Sequence, residues 1–170
     1  MKSKALAQDF AEAAERHLED VHAYLVYLTG DREVAEELTA ETFARALERW
    51  RRYDPRRGSP RTWLCQVARS TALDHFRTEE RRRRREGRYA VAELQERAEP
   101  VFGEGLSPAL EQALAHLSAA EREVVALRVV LELESAAAAH VLGISPTACS
   151  TRLSRALQKL EKEVSAGVAA

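Results

Sequence analysis

Arg69, Arg77 and the unbroken run Arg81–Arg85 bring seven guanidinium groups into a short stretch of a 170-residue chain. A guanidinium is planar, permanently charged and forked, which suits it to phosphate oxygens and to the acceptor edge of guanine. A second set stands near the other end, in SPTACSTRLSR: Thr147, Ser150, Thr151, Arg152 and Arg155, just after Gly143. Short hydroxyls and arginines at helical spacing behind a glycine turn are the groups a major-groove reading helix presents. Nothing in the chain has the spacing of a catalytic apparatus. His17, His22, His75, His116 and His140 share no spacing with one another or with carboxylates, and there is no Gly-rich phosphate loop or nucleophile elbow. No catalytic residue, cofactor or metal ligand is expected.

Charge supports the polyanion reading. The chain is formally −1 overall, yet residues 1–48 hold 5 Lys and Arg against 11 Asp and Glu, and residues 49–88 hold 14 against 5. Such segregation is the footprint of a partner whose phosphates release counterions on binding. Cys65 and Cys149 fall at apolar helical positions far apart in sequence and read as buried structural thiols. No window has the roughly 18 uninterrupted apolar residues of a membrane span, and MKSKALAQDFAEAAERH lacks a secretory apolar core. A cytoplasmic protein with no membrane partner is expected.

Composition rich in Ala, Leu, Glu and Arg, with 7 Gly and 5 Pro, predicts an all-α fold. Two apolar-periodic blocks flank a poorer middle, RRRRREGRYAVAELQERAEPVFGEGLS, so the expected organisation is two small helical domains joined by a flexible linker. The expected divisions are 1–80, a linker over 81–107, 108–164 and a tail over 165–170.

In the first block, Asp9–Leu28 predicts a helix ending at Gly30, and Asp31 caps a second helix to about Arg52. At 100° per residue, Ala35, Leu38, Thr42, Phe43, Ala46 and Trp50 share its inner side, and Glu37, Glu41 and Glu48 its outer side. The loop YDPRRGSP leads, through capping oxygens at Ser59 and Thr62, into a third helix that continues into the arginine run. Its inner side carries Trp63, Leu64, Val67 and Thr71, so Trp63 reads as core; Gln66, Arg69, Ser70, Leu73 and Arg77 form the basic outer side. In the second block, Pro108 and Ser118 open two helices and Ala136–Leu142 a third. Gly143 breaks it, and Ser145 with Pro146 begins a last helix that buries Cys149, Leu153, Ala156, Leu157 and Leu160.

These residues carry a resemblance to the extracytoplasmic-function (group IV) sigma factors of bacterial RNA polymerase. LTGDREVAEELTAETFARALERWRRYDPRRGSPRTWLCQVARSTALDHFRTEERRR resembles sigma region 2, and HLSAAEREVVALRVVLELESAAAAHVLGISPTACSTRLSRALQKLEKE resembles region 4. The chain departs from the family's usual residues at Ala40, Ser70, Ala136–Ala139, Cys149 and Ser150, which bears on promoter preference more than on fold.

The resemblance implies a protein that binds core RNA polymerase and directs promoter recognition and opening. Glu37, Glu41 and Glu48 would dock on the beta-prime clamp helices, and the beta flap would be a second contact. Arg56, Arg57, Arg61, Arg69, Ser70 and Arg77 would handle the minus-10 element, where the family flips a base into a loop pocket. Thr147, Ser150, Thr151, Arg152 and Arg155 would face the minus-35 element. An anti-sigma factor is a further expected partner. The ending AGVAA is similar to the Ala-Ala end of the ribosome-rescue tag that the ClpXP protease recognises, so Ala169 and Ala170 are read either as a degradation signal or as a frayed tail. The competing function is a stand-alone helix-turn-helix regulator that binds duplex DNA without polymerase.

Overall fold

The computed structural model describes residues 2–87 and 101–168. Among the described residues all regular structure is helical. Helices α1 (Lys2–Thr29), α2 (Arg32–Arg49) and α3 (Pro60–Glu86) pack on one another as an N-terminal bundle. Helices α4 (Pro108–His116), α5 (Ala119–Val125), α6 (Ser135–Leu142) and α7 (Pro146–Val168) form a C-terminal bundle, with α7 packed against the other three.

Local chemistry explains the breaks. Gly30 takes a left-handed φ of 66°, closing α1 with its N–H on the Val26 carbonyl at 2.8 Å. Asp31 then accepts from the Glu33 and Val34 amides to start α2. α2 tightens into a 3₁₀ turn over Trp50–Arg52, and Ser59 with Pro60 caps and opens α3. Ser118 and Glu121 form a reciprocal capping box at the start of α5. A π-helical turn, Ala126–Val130, carries α5 towards α6, and Gly143 at φ 65° makes the turn into α7.

Val21, Tyr24, Leu25, Ala35, Leu38, Ala46, Leu64, Cys65 and Ala68 are buried in the first bundle. An aromatic stack caps its end: Trp50 lies on Tyr53 with centroids 4.7 Å apart, and Phe10 and Trp63 meet Trp50 edge-on at 5.4 and 5.6 Å. Trp63 is therefore a packing residue, as its phase predicted. Val124, Leu127, Leu131, Ala138, Leu142, Cys149 and Ala156 fill the second core.

α3 continues into the arginine run as expected and reaches Glu86, so it takes in the start of the stretch read as linker; Arg82 pairs with Glu79 at 3.0 Å and Arg84 with Glu80 at 2.8 Å, the i,i+3 and i,i+4 contacts that hold an exposed helix. Two features differ from the sequence reading. Leu157, expected inside, is 42% exposed, whereas Leu160 further along α7 is buried, and Leu153 is only partly buried. The stretch 101–107, read as linker, is anchored: Val101 donates to the Gly30 carbonyl at 3.1 Å, and Phe102 is buried against Tyr27 with centroids 5.9 Å apart.

The two bundles also pack on each other, α1 against α5 and α3 against α6. Nothing in the sequence announced this docking, and it decides which predicted site residues are accessible.

Candidate nucleic-acid and polymerase interfaces

The loop between α2 and α3 shapes the first site. Asp54 accepts from the Arg56 amide at 2.9 Å, its carbonyl accepts from the Arg57 amide, and Tyr53 donates its hydroxyl to the Gly58 carbonyl at 3.1 Å. That folded loop leaves a small cavity of about 140 Å³, lined by Tyr53, Asp54, Arg57, Thr62, Trp63 and Gln66 and closed on one side by His140 of α6. The cavity offers an aromatic wall, a carboxylate and an amide beside a guanidinium, the mixture that receives an unstacked base.

The predicted arginines around this cavity differ in their freedom. The side chains of Arg56 and Arg57 are exposed, as is Ser70. Arg61 reaches back to Asp20 of α1 at 3.5 Å. Arg77 is exposed and approaches Asp74 at 3.5 Å. Arg69, which phase placed on the outer basic side, instead donates its Nε–H to Glu123 of α5 at 2.7 Å. Glu123 also accepts from the Tyr24 hydroxyl at 2.7 Å, and both Glu123 and Tyr24 are buried. Burial first, and the Glu123 carboxylate second, push the Tyr24 phenol well above its ordinary range, so it remains a donor at any working pH.

The second site is the outer side of the helix-turn-helix. Ser145 caps α7 by accepting from the Ala148 amide at 3.1 Å, which points the first turns of α7 outward. Thr147, Ser150, Thr151 and Arg155 are exposed and Arg152 is half-buried. Thr147, Thr151, Arg152 and Arg155 line an open groove of about 570 Å³ shared with Ser118 and Glu121 at the start of α5. Among the described residues neither Arg152 nor Arg155 has a carboxylate partner. Ser150 faces back to Ser135 of α6, their hydroxyls 3.3 Å apart.

A third surface follows the exposed sides of α2. Glu37, Glu41 and Glu48 are exposed, as phase predicted, but Glu41 is held by Arg45, which also bonds Asp74 of α3 at 2.8 Å. Beside them runs an apolar groove of about 650 Å³, lined by Leu18, Thr39, Ala40 and Phe43 and rimmed by Glu15, Glu19 and Glu36. Leu18 is 49% exposed and Leu47, further along α2, 53% exposed. The sequence reading missed this groove because it counted Phe43 as core. Its available signal was Leu18 and Leu47, large apolar residues at solvent-facing phases.

Among the described residues there is no group of three or more His, Cys, Asp or Glu that could hold a metal ion, and no helix is long and apolar enough to cross a membrane. Ala169 and Ala170 lie outside the described residues.

A helical pair of domains, one with a loop cavity at the head of a basic helix and one with a helix-turn-helix, defines the class. The model for sigma-70 region 2 matches residues 13–82 and that for sigma-70 region 4 matches residues 107–160. The chain belongs to the sigma-70 family, within its extracytoplasmic-function group. It is 32% identical to the ECF RNA polymerase sigma factor BldN of Streptomyces coelicolor over 92% of its own length and 60% of BldN's. It is 28% identical to the ECF sigma factor SigM of Bacillus subtilis over 92% of its own length and 96% of SigM's. In fold it is similar to the sigma factor RpoE, solved in complex with the anti-sigma factor NepR from Bartonella quintana, with a TM-score of 0.78, 21% identity and coverage of 93% of this chain and 98% of that one.

Proposed function

We propose that this chain is a non-catalytic, cytoplasmic specificity subunit of bacterial RNA polymerase that selects and opens promoters. One observation carries the reading: a single chain presents a base-sized loop cavity at the head of a basic helix and, in a separate domain, an outward polar face on a helix-turn-helix. A promoter read at two separated elements calls for that pair of surfaces.

In this reading Arg56, Arg57, Arg61, Ser70 and Arg77, with Arg69 once released from Glu123, hold the minus-10 region, and the cavity receives an unstacked base. Unstacking costs a few kcal/mol, which stacking at about 1 to 3 kcal/mol per base and phosphate contacts offset. Thr147, Thr151 and Arg155 face minus-35 base edges, and Ser150 and Arg152 the backbone; phosphate contacts position and base contacts specify. The groove of Leu18, Ala40 and Phe43, rimmed by Glu15, Glu19 and Glu36, has the shape and sign for a basic amphipathic helical partner, the role assigned to the beta-prime clamp helices, and Glu37, Glu41 and Glu48 extend the acidic surface round α2. The beta flap would meet the C-terminal domain. RpoE was solved with the anti-sigma factor NepR, which supports an anti-sigma partner for this chain as well.

The test is transcription in vitro with core polymerase plus this chain on fragments of its genome. Promoter-specific transcripts that require the chain are expected; their absence from every fragment overturns the reading. The competing helix-turn-helix regulator predicts tight binding of duplex DNA by the chain alone, and that result would favour it.

A further inference from the structure

We propose that Lys159 is a positioning residue for minus-35 recognition: it occupies the Glu121 carboxylate, which would otherwise take Arg155, and so keeps that guanidinium free for DNA. The inference rests on the role proposed above for Arg155, and it adds the residue that keeps Arg155 available for that role.

The outer groove of the helix-turn-helix holds an acid where DNA is to lie. Of the described residues that line it, Glu121 alone is negatively charged, and Arg152 and Arg155 line it too. The Glu121 side chain is only 13% exposed. A carboxylate so far out of water needs partners for both of its oxygens. Oε2 accepts from the Ser118 amide at 2.9 Å, which closes the capping box of α5. Oε1 meets the Lys159 ammonium at 2.6 Å.

Three cations of α7 are in phase to take that second oxygen. At 100° per residue, Arg152, Arg155 and Lys159 fall within about 60° of one another, with Lys159 between the two arginines. Long side chains on a helix lean towards its N-terminus, so Lys159 reaches the carboxylate over the turn that carries Arg155. With Oε2 committed to Ser118, the carboxylate has one oxygen to give. That suits the point charge of an ammonium better than a guanidinium, whose advantage lies in forking onto both oxygens. Lys159 therefore holds the place, and Arg155 stands exposed with no carboxylate partner among the described residues. Without Lys159 the largely buried charge lacks a cation, and Arg155, one turn away on the same side, is placed to replace it. A guanidinium held there cannot also fork onto the acceptor edge of a guanine.

The experiment compares three full-length variants: Lys159→Ala, Lys159→Arg, and Lys159→Ala combined with Glu121→Gln. Lys159 is exposed, so replacing it leaves the core intact, and Gln at 121 keeps the capping box while removing the charge. The first readout is promoter binding by the holoenzyme assembled with core polymerase, with the minus-35 element intact or scrambled. Lys159→Ala should lower the preference for the intact element by roughly tenfold, the scale of one lost guanidinium–base contact. Lys159→Arg and the double variant should keep the preference of the unmodified chain. A brace between α5 and α7 and nothing more would leave the double variant as impaired as Lys159→Ala, since both lack the ion pair; that result overturns the proposal. The second readout needs neither polymerase nor DNA: exchange of the Arg155 Nε proton with water, followed by NMR. Exchange should slow severalfold in Lys159→Ala and return to the unmodified rate in the double variant. Unchanged exchange in Lys159→Ala overturns the capture, including the case in which an unpaired Glu121 merely repels DNA phosphates. If the unmodified chain shows no preference for any minus-35 sequence, the promoter reading fails, and proton exchange still judges the capture.

Discussion

The Nε of Arg69 lies 2.7 Å from the Glu123 carboxylate, joining the middle of α3 to a helix of the other domain across 54 positions of sequence. Tyr24 completes the cluster from 99 positions away. Tyr24→Phe removes one hydrogen bond and leaves the ion pair, so it should cost about 1 kcal/mol of stability in denaturant unfolding. A loss below a few tenths would mean that the phenol contributes nothing to the docked form.

The arginine run divides into two sets. Arg82 and Arg84 are engaged with Glu79, Glu80 and Glu86, whereas Arg81, Arg83 and Arg85 have no carboxylate partner among the described residues. Changing Arg81, Arg83 and Arg85 to Gln should weaken promoter binding by the polymerase holoenzyme and flatten its log–log salt dependence by about 0.9 for each phosphate no longer neutralised. Changing Arg82 and Arg84 should flatten it less. Promoter preference should stay the same in both; a shift in preference would show that the run reads bases.

Glu132 is the one non-glycine residue with positive φ among the described residues, at 51° in the turn between α5 and α6. A side chain in the left-handed region costs on the order of 1 kcal/mol, which glycine avoids. Glu132→Gly should therefore stabilise the C-terminal domain by about 0.5 to 1 kcal/mol despite the larger entropy of its unfolded chain. Equilibrium unfolding decides it, and destabilisation would contradict the strain.

Glu121 ties the start of α5 to α7. The Lys159 ammonium at 2.6 Å, and then the Ser118 backbone N–H, hold its carboxyl below the usual range. A folded value below the unfolded one, about 4.3, gives stability that is present above that pH and lost as pH falls through the folded value. Glu121→Ala should lower the thermal midpoint at pH 7 and lower it much less at pH 3, as followed by circular dichroism. An equal loss at both would mean that charge plays no part.

Burial pushes the Cys65 thiol up to about 12, and Cys149 is raised by burial as well. Both should stay unreactive towards a thiol reagent at pH 8 in the native chain and react promptly in denaturant. Fast labelling of the native chain would show that one of the helices carrying them opens readily.

Much of the architecture was legible along the chain, because caps and glycine turns are local. Asp31, Ser59, Ser118 and Ser145 each start the helix expected of them, and Gly30 and Gly143 end theirs. The exposed positions of Thr147, Thr151 and Arg155 followed from phase alone. Phase fell short in three places. Arg69 was assigned to solvent because its own bundle leaves it outside, but Glu123 of the other bundle takes it; Phe43 packs against the core as assigned and also borders an open groove. Leu157 was assigned inside, but its side chain is 42% exposed while Ala156 and Leu160 on either side of it are buried.

Sequence by itself therefore determined the helices, their caps, the charge segregation and the exposed polar side of α7, all set by interactions within a few residues. Tertiary structure alone decided the docking of the two bundles, the pairing of Glu123 with Tyr24 and Arg69, and the resulting cover beside the loop cavity. The physical reason is that helical periodicity reports which side of a helix is apolar, whereas a buried charge is placed by partners that only the folded chain brings within hydrogen-bonding distance.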